Sequence, residues 1–224
     1  MSENKKDLTC FLSNELIRVA PPDKTVVAAG GFADEERVEC TDPGRNVSNL
    51  KACHEEADTR IIVHAVECQA DCIVIWARDT DVLVLLLGHF SNMNCPSVWM
   101  KAGTSKKQKF IPVHTIYERL TKPIVDVLIP FHALTGSDTT SFFAGHSKKT
   151  EWTVFEQHCN LLSELGLGSL TNEMEDAAES FVCKICGLFH VMKTDSARVI
   201  LFQKGVSAEA LPPTSNALHY HSLY

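Results

Sequence analysis

Three short stretches place carboxylates where metal-assisted chemistry would need them. H-E-E-A-D-T-R carries Glu56 and Asp58, D-T-D-V-L-V-L-L carries Asp79 and Asp81, and A-L-T-G-S-D-T-T carries Asp138. The middle pair is the most telling. Asp79 and Asp81 stand two residues apart beside the most apolar run of the chain, I-V-I-W-A followed by V-L-V-L-L-L. Ionised carboxylates at the edge of a core are costly unless something neutralises them. If the three stretches converge, five carboxylates surround one point, and such a cluster stays ionised only around cations. Ligation by oxygen alone suits Mg²⁺ or Mn²⁺. Two such ions activate a water and steady the leaving oxygen of a phosphodiester.

Each acid also has a plainer reading. Asp79 precedes T-D-V-L-V-L-L and fits a helix N-cap. Glu55, Glu56 and Asp58 suit the positive end of a helix dipole. Asp138 follows Gly136 and fits a turn. The joint pattern, rather than any single residue, favours the metal reading.

The elements that must position these acids follow from periodicity and turn signals. Helical spacing is predicted over 7–19, 54–68, 80–89, 113–120, 124–134, 148–165, 173–190 and 197–204, with Pro123 splitting the pair around it. Strands are predicted over 25–29, 72–77 and 97–101, and 104–109 reads as a basic loop. Strands alternating with helices imply an α/β fold with a helical C-terminal third. Asp79 and Asp81 then lie just past the carboxyl end of a strand, where α/β sheets collect functional groups.

In order, E-A-D at 56–58, D-T-D at 79–81 and L-T-G-S-D at 134–138 resemble the internal half of the PIN-like, flap-endonuclease (XPG-type) nuclease superfamily. Asp58 and Asp79 are 21 residues apart, and Asp81 and Asp138 are 57 apart, as in that family's pattern. F-F-A-G-H-S-K-K-T-E-W resembles a degraded form of its helix–two-turn–helix. A nearer likeness, over roughly 50–220, is to a group of animal proteins, some tied to mobile elements. These share H-E-E-A-D-T-R, D-T-D-V-L-V-L, H-A-L-T-G-x-D-T-T and a tail like L-P-P-T-S-N-A-L.

The resemblance implies a three-layer fold with a mostly parallel sheet between helices. It implies Glu56, Asp58, Asp79, Asp81 and Asp138 as catalytic metal ligands for a two-metal Mg²⁺ or Mn²⁺ site, and Gly145 and Lys148 as backbone-binding residues of the two-turn element. DNA or RNA would be the substrate. In that family a first strand supplies a further acid. Only about fifty residues precede Glu56 here, and neither Asp7 nor Asp23 follows an apolar strand. The chain therefore reads as lacking the first part of the fold. Its alternatives are a catalytically inactive binding module, a truncated mobile-element fragment, or a site completed by a protein partner or second chain.

On this reading residues 1–49 form an N-terminal helix, strand and loop, 50–165 the α/β domain, and 166–224 a helical extension. The net charge of −7 argues against a general nucleic-acid coat and leaves binding to local patches. Lys101, Lys106, Lys107 and Lys109 form one such patch, and Lys148 and Lys149 a second; the plainer reading is a solvated loop. Cys183-Lys-Ile-Cys186 with His190 looks like half a zinc site, but the same segment reads as a buried helix with small thiols, and zinc is not assigned. His54 and His132 flank the acidic motifs, with helix packing the plainer role for His132. Nine cysteines, an odd number, and a polar N-terminus are expected for an intracellular protein, nuclear or cytoplasmic. The longest apolar run, near 82–87, is too short to span a bilayer.

Overall fold

The computed structural model describes residues 3–34, 36–51, 57–104, 106–137 and 140–222. The first helix, α1 (Glu3–Arg18), has the expected spacing but does not bury its apolar side. Leu8, Phe11, Leu12 and Leu16 are all at least half exposed. Ser13 alone is buried, and its hydroxyl donates to the Gly30 carbonyl at 3.2 Å. That bond ties α1 to an antiparallel ribbon of β1 (Val27–Ala29) and β2 (Val38–Cys40). The sequence gives no alternating run for β2, and it was not expected.

After α2 (Ala57–Glu67) the chain turns back into β3 (Cys72–Trp76) and then α3 (Thr80–His89). The main sheet has three strands in the order β3, β4 (Ser97–Thr104), β5 (Lys107–Pro112). β3 and β4 are parallel, and β4 and β5 form an antiparallel hairpin. The sheet is therefore mixed rather than mostly parallel. The segment expected to be a basic loop is the tip and first half of this hairpin.

One face of the sheet is apolar and buried, with Ile75, Val98 and Met100 turned into the core. The other face carries Val74, Trp76 and Phe110 at 54%, 70% and 51% exposure. This face is covered only in part: Trp99 is half-buried beside His114 of the helix that follows β5, while Trp76 and Phe110 stand exposed.

α3 is apolar on nearly every side, as a helix surrounded by others must be. It buries Val82, Val84, Leu86 and Leu87. Around it pack α2, α4 (Val113–Arg119), α5 (Lys122–Asp126) and α6 (Leu128–Leu134). Gly88 allows a close approach to α6: a Cβ there would lie 2.6 Å from Ile129 Cδ1. Pro123 occupies the first turn of α5, where its missing N–H costs nothing. The expected single helix over 124–134 is two short ones that meet at Val127.

The last third holds α7 (Lys148–His158), α8 (Asn172–Ile185), α9 (Thr194–Gln203) and α10 (Ser215–His221). Phe131 of α6 stacks on Phe155 of α7 with centroids 4.1 Å apart and meets Phe181 of α8 edge-on at 6.2 Å. Through these rings one buried cluster runs from Ile62 in α2 to Leu218 in α10. No helix among the described residues is long and apolar enough to cross a membrane.

Candidate functional site at the carboxyl edge of β3

Asp79 ends the turn after β3 in extended backbone and caps α3. Its Oδ1 accepts from the Asp81 N–H at 3.1 Å. The capping reading of Asp79 is thus realised, and it aims Asp81 from the first turn of α3 towards α6. There Asp81 Oδ1 accepts from His132 Nε2 at 2.8 Å, with the two side chains 22% and 14% exposed. His132 is a partner to the acidic pair as well as a packing residue.

The turn after α6 explains its own composition. A helix leaves its last carbonyls unserved by the backbone, and here side chains reach them. Thr135 Oγ1 donates to Phe131 O at 2.7 Å, and Thr140 Oγ1 donates to Ala133 O at 2.7 Å. His221 Nε2 of α10 lies 2.9 Å from Leu134 O and donates to it. Lys148 Nζ donates to Thr135 Oγ1 at 2.5 Å, Gly136 O at 2.8 Å and His132 O at 3.3 Å. A cation at the C-terminal end of α6 also suits the helix dipole. Gly136 is required by geometry: its φ is +106°, and a Cβ would lie 2.8 Å from Phe142 Cβ.

Burial of the ammonium against this turn pulls the Lys148 pKa down, opposed by the nearby charges of Glu151 and Asp81. Its stem remains exposed. Glu151, one turn further along α7, is 1% exposed, and burial pushes its carboxyl up, with Lys148 opposing. Glu151 Oε2 has no hydrogen-bond partner among the described residues. Sequence reasoning passed over this residue. The available signal was a glutamate four residues before Phe155 on the face that α7 buries.

The other predicted site residues fall as follows. Asp58 lies in the first turn of α2. Residues of α2 from Ala57 to Glu67 and of β3 from Ile73 to Trp76 line a common cavity of about 660 Å³. Glu56 and Asp138 lie outside the described residues. Thr140, two positions beyond Asp138, is nevertheless bonded back to α6. Lys106, Lys107 and Lys109 are exposed on the β4–β5 hairpin. Because β4 runs parallel to β3 and continues three residues past the Trp76–Lys101 pair, this hairpin rises from the same edge as Asp79. Gly145, at φ +81°, shapes the turn before α7, and Lys149 is exposed in the first turn of α7.

Cys183 and Cys186 close α8, and burial pushes their thiols up to about 12 and about 11. Cys186 Sγ lies 3.7 Å from His146 Nε2. Cys183 is buried and Cys186 half-buried.

Asp79 and Asp81 offer carboxylate oxygens, which suit a hard divalent ion, while the His132 nitrogen beside them is engaged with Asp81. Of the five candidate acids, Asp58, Asp79 and Asp81 are described. Among the described residues no three acids, histidines or cysteines form a group that would hold an ion, and Glu56 and Asp138 stand outside that set. No family model matches the chain, and neither a curated protein nor a solved structure does.

Proposed function

We propose that the carboxyl edge of β3 is a nuclease-type site that hydrolyses DNA or RNA phosphodiesters, on a PIN-like scaffold. One observation carries this reading. Asp79 and Asp81 start α3 at that edge, and His132 of α6 bonds the Asp81 carboxylate. Asp58, in the first turn of α2, would join them. Asp79 and Asp81, with Asp58, Glu56 and Asp138, would hold Mg²⁺ or Mn²⁺. Such an ion, when bound, supplies positive charge and an acidified water. The protein's part is positional. His132 fixes the rotamer of Asp81, Asp79 fixes the start of α3, and Lys148 holds the chain as it leaves α6 at Thr135 and Gly136.

A binding module without catalysis is the second reading. It is favoured by the structural work each visible acid already performs, Asp79 as a cap and Asp81 as the acceptor for His132.

One substitution separates the two. Asparagine caps helices as well as aspartate does, so Asp79→Asn keeps α3 and removes the charge. Labelled single-stranded and flap substrates are incubated with Mn²⁺ and the parent, Asp79→Asn or Asp81→Asn. Cleavage by the parent and its loss in both variants, with melting temperatures retained, supports the nuclease. Equal cleavage by all three, or by none, rejects it.

A further inference from the structure

We infer that the open face of the three-stranded sheet is a stacking platform for single-stranded nucleic acid, on which Trp76 and Phe110 each take a base with Lys101 between them. The strand register builds it. Trp76 pairs with Lys101 and Lys101 with Phe110, so the three side chains form one row across β3, β4 and β5. Neighbouring strands are about 4.8 Å apart, which separates the two rings by roughly 10 Å. Lys101 Nζ lies 4.2 Å from the Trp76 ring centroid and 6.0 Å from that of Phe110. The rings are 70% and 51% exposed, although the opposite face of the sheet buries Ile75, Val98 and Met100.

Charge decides what would cover such a row. The chain is acidic overall, at −7, yet no acidic residue occurs from 82 to 117, a stretch that contains Lys101, Lys106, Lys107 and Lys109. Rings interleaved with ammonium groups suit a ligand that offers both flat bases and phosphates. An apolar protein partner would meet an uncompensated lysine at the centre of the row, and an acidic one would leave the rings without stacking partners. Trp76 also stands only three residues before Asp79, so a strand laid on the platform passes within about 10 Å of the carboxylate edge. Trp76 further lines the 660 Å³ cavity together with Arg60 and His64. The inference rests on reading this edge as a nucleic-acid site, and it adds that the strand must be unpaired.

Binding is measured without metal, in EDTA at low salt, so that its outcome is independent of cleavage. The probes are short fluorescent oligothymidylate and oligouridylate and a duplex of equal length, read by anisotropy. The parent is expected to bind both single strands, with the tighter arm naming DNA or RNA, and to bind the duplex at least tenfold more weakly. Trp76→Ala and Phe110→Ala should each weaken single-strand binding by about tenfold. Phe202→Ala, which removes a similarly exposed ring on α9, should change it less than twofold. Three results overturn the inference: equal affinity for duplex and single strand, unchanged binding in the Trp76 and Phe110 variants, or a parent dimer that Trp76→Ala converts to monomer in sedimentation. Stacking without cleavage would reject only the nuclease, and cleavage without stacking only the platform.

Discussion

Two glutamates, both almost wholly buried, sit in opposite circumstances. Glu179 of α8 is 4% exposed and Glu151 of α7 is 1% exposed. Glu179 accepts from Thr194 N at 2.7 Å, Thr194 Oγ1 at 3.0 Å, Ser215 Oγ at 2.6 Å and Lys193 Nζ at 2.9 Å. Burial pushes its carboxyl up, but the bonds from Ser215, Lys193 and Thr194 outweigh that and hold it below its ordinary value. Glu151 has one oxygen without a partner among the described residues, and burial leaves its carboxyl raised. The difference teaches that depth alone does not decide the state of a buried acid; the donors around it do. Glu179 is a structural pin that joins α8, α9 and α10. Glu151 is an acid kept close to Lys148, which also feels Asp81 and holds the turn of the candidate site.

The largest effect should come from the pin. Glu179→Ala leaves the buried Thr194 and Ser215 donors without their acceptor, while Lys193 keeps Asp176, and a loss of about 3 kcal/mol is expected from urea denaturation. The pH dependence follows from the lowered carboxyl. Its contribution is fully present above the ordinary value of 4.5 and is lost as pH falls through the lower folded value. Glu179→Gln should therefore show a flatter acid limb than the parent. An unchanged limb would mean that the pin carries no charge.

Glu151→Gln should act in the opposite sense and more weakly. A raised carboxyl favours folding below 4.5 and loses that contribution as pH climbs towards the folded value. Ionised Glu151 therefore costs stability at pH near 8, and the amide should restore about 1 kcal/mol there, a rise of roughly 2–4 °C in Tm for a chain of this size. The gain should vanish near pH 4. Destabilisation at pH 8 would show that Glu151 is as well served as Glu179, and the contrast would fail.

Much of this was legible in the chain, for reasons that vary by segment. α3 was read to its exact ends because an Asp cap stands directly before a continuous apolar run. β5 was not, because K-Q-K-F shows no apolar alternation: at the hairpin tip neither face touches the core. The helical spacing of α1 was correct, yet spacing does not say whether a partner is present, and its leucines lie exposed. His132 and Asp81 are 51 residues apart, and only the close approach of α6 to α3 at Gly88 brings them together. Thr135, Thr140 and Lys148 looked like a motif; their visible work is to serve the carbonyls at the end of α6. Glu56 and Asp138 lie outside the described residues, so the convergence rests on Asp79, Asp81 and the flanks of the other two segments.

Titration calorimetry with Mn²⁺ tests the site most directly. Parent protein and Asp79→Asn, matched for helix content, are titrated at neutral pH. Saturable uptake by the parent that disappears in the variant is the expected result. Identical heats from the two proteins, whether of binding or of dilution alone, would contradict an ion held at the edge of β3.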